Sequence, residues 1–237
     1  MEPAELQPLT PIAGSLALAS SLAAVAGCLD ALSLDRLTGT FVAFQSGNTV
    51  LAGLEIGQGH FAQVWPPLVA VLTYIVGSAL TPFVIRSGTG ARDAARRLLA
   101  WATALLALDA AIVLIGFGPG SETPTGFLRY LGIIVATMAM AMQTPAVRSV
   151  DGVNVSSTFS SGMLVRLGQS LGDLVHRNAR ARELPVTRIL AITNVSFLAG
   201  AVVGGVLIEW WGNLAILVPT VALAAIALLR DRLVPTT

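Results

Sequence analysis

The sequence predicts an all-α polytopic membrane protein: six transmembrane helices, two polar re-entrant or broken half-helix segments, and an inverted 3+3 repeat. Three observations carry that prediction. The 237 residues are 54% hydrophobic and 11% charged, with a mean hydropathy of +0.77. A soluble domain has roughly a quarter of its residues charged, so this chain has too little polar surface to face water all round. Its apolar runs are long and separated by short charged links. Finally, a polar phrase occurs twice, "FQSGNTVLAG" at 44–53 and "FSSGMLVRLG" at 159–168, 115 positions apart, and Gly57 is matched by Gly172.

Six runs are long enough, at about 1.5 Å rise per residue, to cross roughly 30 Å of hydrocarbon. They are 12–35, 61–86, 97–117, 127–148, 187–208 and 213–230. Two further stretches, 38–58 and 153–175, are only mildly apolar and carry Gly, Ser, Thr, Asn and Gln. Each opens on β-prone or polar residues ("TGTFVAF", "VNVSSTF") and turns helix-like at the repeated phrase. "VAGC" at 25–28 resembles a lipoprotein cleavage box at Cys28, but a signal peptide needs a basic start. The first 35 residues hold no Lys or Arg, so the run reads as an uncleaved first span.

Arginine placement orients the chain, which has no lysine and 14 arginines. Arg86, Arg92, Arg96 and Arg97 crowd the link between the second and third spans. Arg177, Arg180, Arg182 and Arg188 crowd the link before the fifth, and Arg230 and Arg232 follow the last. The links near 118–126 and 209–212 hold none. Arg-rich links are cytoplasmic by the positive-inside rule. With that constraint 153–175 enters and leaves on the cytoplasmic side, and 38–58 dips in from outside; a variant lets 38–58 cross, with the N-terminus outside. Treating both copies alike puts both termini in the cytoplasm. The whole chain, 1–237, is then one membrane domain, with a first repeat over 12–117 and a second over 127–230.

Non-helical backbone cannot face lipid, so the two dipping segments must be buried or line a wet cavity. Broken helices near the midplane are a recurring device of secondary transporters. Ser46 and Ser161 suit helix N-caps, and Gly47 and Gly162 permit close backbone approach. Two helix N-termini aimed at one point offer free donors to an anionic or electron-rich ligand. The competing reading is that these glycines only let helices pack.

Ionisable residues inside spans are functional candidates. Asp109, in "LLALDAAIVL", lies deep in the third span, where a lone carboxyl suits reversible protonation; the alternative is a neutral Asp bonded to a neighbouring helix. Asp30, in "GCLDALSLDRL", precedes the first dip and either holds its free N–H groups or contributes to the site and its proton coupling. Thr144 is its rough counterpart in the second half. Asn48, Thr49, Gln143 and Asn194 could orient a ligand or bond across helices. Arg166 could pair with Asp109, attract an anion or snorkel to the membrane edge. Gly77 and "GAVVG" (200–204) are tight-packing positions within the fold or between protomers. Met138, Met140 and Met142 read as a pliable packing strip.

"GCLDALSLDRLTGTFVAFQSGNTVLAGL" (27–54) resembles the YoaK-like bacterial membrane proteins, the domain-of-unknown-function 1275 family. That family's hallmark is Gly-x-x-Asp-Ala followed by Phe-x-Ala and a Thr/Ser-Gly-Asn-x-Val phrase. Gly27, Asp30, Ala31, Phe41, Ala43, Ser46, Gly47, Asn48 and Val50 occupy those places. The resemblance extends over nearly the whole chain and implies a compact multi-span protein without an established activity. The chain departs from the pattern at Ser46, where Thr is more usual, and at Gln143-Thr144, where Gln-Asn is. Ser161-Gly162-Met163 lacks the Asn of the first copy, so a pseudo-symmetric site is chemically asymmetric here.

Several function classes fall away. A net charge of +1 excludes a basic nucleic-acid footprint. One cysteine and two histidines, His60 and His176, give no disulfide framework, metal site or cofactor motif. No catalytic constellation emerges, so the chain is not read as an enzyme. What remains is a small secondary transporter or channel-like carrier for a small anion or polar solute. Ser46, Gly47, Asn48, Thr49, Ser161, Gly162, Gln143 and Thr144 would bind, and Asp109 or Asp30 would couple protons. The alternative is a non-transporting scaffold or accessory subunit that loses its partner when the Gly200–Gly204 face is bulked up. With so little bulk around six spans, a homodimer in the bilayer would complete the structure.

Overall fold

A computed structural model of the chain describes residues 12–86, 91–118, 120, 125–147, 149–150, 153–154, 161–175 and 180–233. Eight α-helices dominate it: α1 Ile12–Leu32, α2 Gln45–Gly57, α3 Trp65–Arg86, α4 Ala91–Phe117, α5 Gly126–Gln143, α6 Ser161–Asp173, α7 Arg180–Trp211 and α8 Leu217–Leu233. A two-residue antiparallel hairpin, Ser149–Val150 with Val153–Asn154, lies between α5 and α6.

Five helical stretches are long and apolar enough to span a membrane: Gly14–Leu37, Trp65–Arg86, Asp93–Phe117, Gly126–Ala146 and Glu183–Arg230. The last covers 48 residues, over twice what one crossing needs. It contains α7 and α8, joined by a 3₁₀ turn over Gly212–Ile216 in which Gly212 takes φ +54°. Large apolar side chains stand exposed on the outside of these helices, among them Ile75, Ile115, Val195, Leu198, Val221 and Leu228. Such a surface is unsuited to water and suited to lipid. The protein is a multi-pass membrane protein.

Several boundaries differ from those predicted. The second run starts at Trp65, because 61–64 form turns and the pair Pro66-Pro67 suits a first helical turn. The third starts at Ala91, since "ARDAARR" is made of good helix formers despite its charge. The fourth ends at Gln143 and tightens into a 3₁₀ turn over Thr144–Ala146, and the fifth extends over Arg180–Trp211. Both polar segments become helical at the repeated phrase, from Gln45 and from Ser161.

Lipid supplies no hydrophobic drive between helices, so close backbone approach decides which helices pair. The buried α1 packs on α7 and α8, and α5 packs on α3 and α4. α4 also meets α8; α2 lies on α3 and α6 on α7. The α1–α7 contact is the tightest. A Cβ at Gly200 would overlap the Ala24 carbonyl, one at Gly27 would overlap the Phe197 carbonyl, and one at Gly204 would stand 2.7 Å from Cys28 O. "GAVVG" therefore packs inside the fold, and the expectation that its Gly200–Gly204 face holds a partner is corrected: both glycines are buried against α1. Gly77 plays the same part between α3 and α5, where a Cβ would reach within 2.8 Å of Met138 Sδ. Cys28 is buried in the same packing, which leaves no room for an acyl chain.

Bonds between chain-distant residues define one end of the bundle. Arg129 Nε donates to Thr38 O at 2.8 Å, Asn213 N donates to Gly120 O at 3.0 Å, and Asn213 Nδ2 to Gly118 O at 3.2 Å. The α1 exit, the start of α5 and the link from α7 to α8 thus gather at this Arg129 end. The Gln143 end lies opposite.

Candidate functional site

α1 terminates in a π turn over Ser33–Leu37, with Thr38 N and Gly39 N both donating to Ser33 O at 2.9 Å. Gly39 takes φ +70°, a conformation that favours glycine. From Thr38 to Phe44 the backbone is not helical, within a segment bounded by α1 and α2. Its polar groups must find partners inside the protein.

Two side chains supply most of them. Asp30 Oδ1 accepts from Val42 N at 2.8 Å and from Ala43 N at 2.7 Å. Asn48 acts like a neighbouring strand: its Oδ1 accepts from Phe41 N at 2.9 Å and its Nδ2 donates to Phe41 O at 2.7 Å. Asn48 Nδ2 also donates to Gln45 Oε1 at 2.9 Å, and Gln45 Nε2 donates to Val42 O at 3.0 Å. The rings of Phe41 and Phe44 meet edge to face at 5.3 Å and close over Gly47, where a Cβ would stand 2.7 Å from Phe41 Cε2. Gly47 is there for close approach, as expected.

Nearer the π turn, a hydroxyl cluster holds the chain. Ser33 Oγ and Thr38 Oγ1 are 2.6 Å apart and Thr38 Oγ1 and Thr40 Oγ1 2.9 Å, all three residues buried. Across α5, Gly132 brings Asp109 Oδ1 to 3.3 Å, and Thr38 Cγ2 to 3.9 Å, of the point where a Cβ would stand. Asp109 is 3% exposed, and Oδ1 has no hydrogen-bond partner. It lies eight residues before the end of α4, about 12 Å along the helix axis. Asp30 holds the break at Val42 and Ala43. Asp109 faces Gly132, the α5 position that the Thr38 methyl also approaches.

Arg129, half-buried on α5, clamps the break through Thr38 O. Arg129→Gln is expected to lower stability by about 2 kcal/mol, the range for a hydrogen bond to a charged donor. Amide hydrogen exchange should quicken over 38–44 and stay unchanged in α7; unaltered exchange over 38–44 would show that the clamp lies elsewhere.

The family model described as "Protein of unknown function (DUF1275)" matches residues 18–229. The chain belongs to this family. Among DUF1275 relatives, the chain is 29% identical over 207 residues to the UPF0700 transmembrane protein RA0705 of Rhizobium meliloti (strain 1021), covering 87% of this chain and 82% of that one. It is 26% identical over 190 residues to the UPF0700 transmembrane protein YoaK of Bacillus subtilis (strain 168), covering 78% and 80%. No solved structure matches.

The remaining predicted residues are placed as follows. Ser46 is exposed and does not cap α2, whose N-cap, Phe44, has no side-chain bond. Asp30 and Asn48 reach the preceding N–H groups instead. Thr49 is exposed and bonds its own helix at Gln45 O. Gln143 is fully buried; Nε2 donates to Leu22 O at 3.0 Å and Oε1 has no partner. Thr144 Oγ1 donates to Met140 O at 2.8 Å and lies 2.8 Å from the Tyr74 hydroxyl. Gly162 is exposed, while the Ser161 side chain and residues 155–160 lie outside the described residues, as does His176. The main packing partners of α2 and α6 are α3 and α7, not each other. Arg166 is exposed and makes no pair with Asp109. Asn194 Nδ2 bonds Leu190 O of its own helix. Met140 and Met142 are buried in the core and Met138 packs on it, a packing strip as expected.

Sequence reasoning missed Ser33, Thr38, Thr40, Arg129, Gly132 and Tyr74. Arg129 offered one signal, as a lone arginine just inside a span whose preceding link has none.

Proposed function

We propose that the protein is a small secondary transporter or channel-like carrier for a small polar solute in the bacterial inner membrane, with Asp109 as its proton-coupling group. In this reading α1, α3, α4, α5, α7 and α8 cross the membrane, α2 and α6 do not, and the Arg129 end faces away from the cytoplasm. The halves 12–117 and 127–230 form an inverted repeat. Support comes from the matched packing: α1 lies on α7 as α5 lies on α3, α2 on α3 as α6 on α7, and α4 on α5 as α8 on α1, with α4 against α8 at the centre. The observation that carries the carrier role is the buried Asp109, whose Oδ1 has no partner where it faces Gly132. An ionisable group held there without a structural bond is retained at a cost that function explains better than folding.

In proteoliposomes carrying a pH-sensitive dye, solute gradients should drive proton movement with wild-type protein. Asp109→Asn should abolish it, at least tenfold, while eluting as a folded species. Equal proton movement in the variant would remove Asp109 from the mechanism. A scaffold role draws on a different observation: Gly53, Gly57, Gly168 and Gly172 stand on α2 and α6 with nothing within 4 Å. Open faces of this kind suit a helix of a second copy or of another membrane protein.

A further inference from the structure

The helix N-termini of the repeated phrase first suggest an anion, because free N–H groups attract negative charge. In the first copy most of those donors are already used. Phe41 N donates to Asn48, Val42 N and Ala43 N to Asp30, Gln45 N to Ala43 O, and Gly47 N and Asn48 N to Phe44 O. The break is closed to an anion by the protein's own carboxylate and amide.

What remains unsatisfied is acceptor oxygen. Asp109 Oδ1 on α4 and Asp30 Oδ2 on α1 are both buried without a partner, whereas Gln143 Oε1, also unpartnered, lies toward the opposite end of α5. Asp30 and Asp109 are each 3% exposed, and neither is ion-paired among the described residues. Arg129, at this end of the bundle, spends its Nε on Thr38 O. Asp30 on α1 and Asp109 on α4 thus offer lone pairs, and such groups are stabilised by positive charge or donated hydrogens.

We propose that the Asp109 site binds a small cation, with Asp109 as anionic anchor where it faces the bare Gly132 of α5. This deepens the carrier reading and rests on it for the claim that the cation is moved, but not for the claim that it binds. A monovalent metal ion and a small organic ammonium share the required chemistry.

The test is thermal unfolding of purified protein in detergent at fixed ionic strength. Choline chloride, a bulky cation for so buried a carboxyl, is exchanged for sodium, potassium or methylammonium chloride, and separately for choline nitrate, formate or sulfate. At least one small cation should raise Tm saturably, the anions should not, and Asp109→Asn should lose the cation effect. Should that variant fail to elute as a folded species, Gly132→Ala serves instead; its Cβ would crowd Oδ1 and should weaken apparent cation affinity at least tenfold. Shifts by sodium against methylammonium name the class of cation. A rise with anions only, a cation rise undiminished in either variant, or no rise with any cation overturns the proposal. Cation binding without solute-driven proton movement would sink the carrier reading and leave the site standing; anion-driven movement without cation binding would do the reverse.

Discussion

Asp30→Ala is expected to remove about 3–5 kcal/mol of stability, because it strands two buried N–H groups at once, each costing roughly 1–3 kcal/mol when left without an acceptor. Val42 N and Ala43 N point at a single oxygen, and within a bundle in lipid no solvent replaces it. Against a total of about 5–15 kcal/mol for a typical domain, that loss is large. The purified variant should unfold at a much lower temperature or fail to elute as a monodisperse species. Asp30→Asn separates the two roles that the sequence allows for this residue. Its amide oxygen can accept both bonds, so stability close to wild type is expected, together with retained proton movement. If Asp30→Asn unfolds like Asp30→Ala, negative charge rather than an acceptor holds the break. If it folds but loses proton movement, Asp30 joins Asp109 in coupling.

The contrast between these two carboxylates marks how much of the site can be read from sequence. Both stand out as charged residues in apolar runs, and both are buried. Nothing local tells them apart, because the difference lies in what reaches them. Asp30 meets backbone twelve and thirteen residues later, after a π turn that reverses the chain. Asp109 meets the bare Cα of Gly132, supplied by another helix. The long apolar helices and the helical start of each repeated phrase were legible, since hydropathy and helix-forming residues are local properties. The partners were not: Arg129 grips Thr38 across 91 positions, and Gln143 grips Leu22 across 121. Only the order in which helices pack creates those contacts. The expected cap at Ser46 failed for a different reason. α2 begins at Gln45, before that serine, so Ser46 lies inside the first turn, and Gly47 N and Asn48 N donate to Phe44 O instead.

The glycines give the other large effect, and a control within the same chain. Gly200→Ala is expected to cost about 3 kcal/mol or more, the upper range for overpacking, because the new methyl overlaps a backbone carbonyl that cannot rotate aside. α1 and α7 would have to separate along their whole contact, and α1 also carries Asp30, so the break should loosen with them. Gly27→Ala should act the same way from the opposite helix. The pair should be less than additive, since the first methyl already opens the gap that the second needs. At Gly53, Gly57, Gly168 and Gly172 the same substitution meets nothing within 4 Å and no left-handed backbone. There alanine should be neutral or stabilise by about 0.5–1 kcal/mol through helix propensity alone. Thermal unfolding of the single variants in one detergent decides the matter. Tolerance at Gly200 would mean that α1 and α7 are not in contact through these residues. Destabilisation at Gly53 or Gly168 would mean that the open faces of α2 and α6 are covered when the protein is assembled, and the repeated phrase would then be serving an interface as well as a fold.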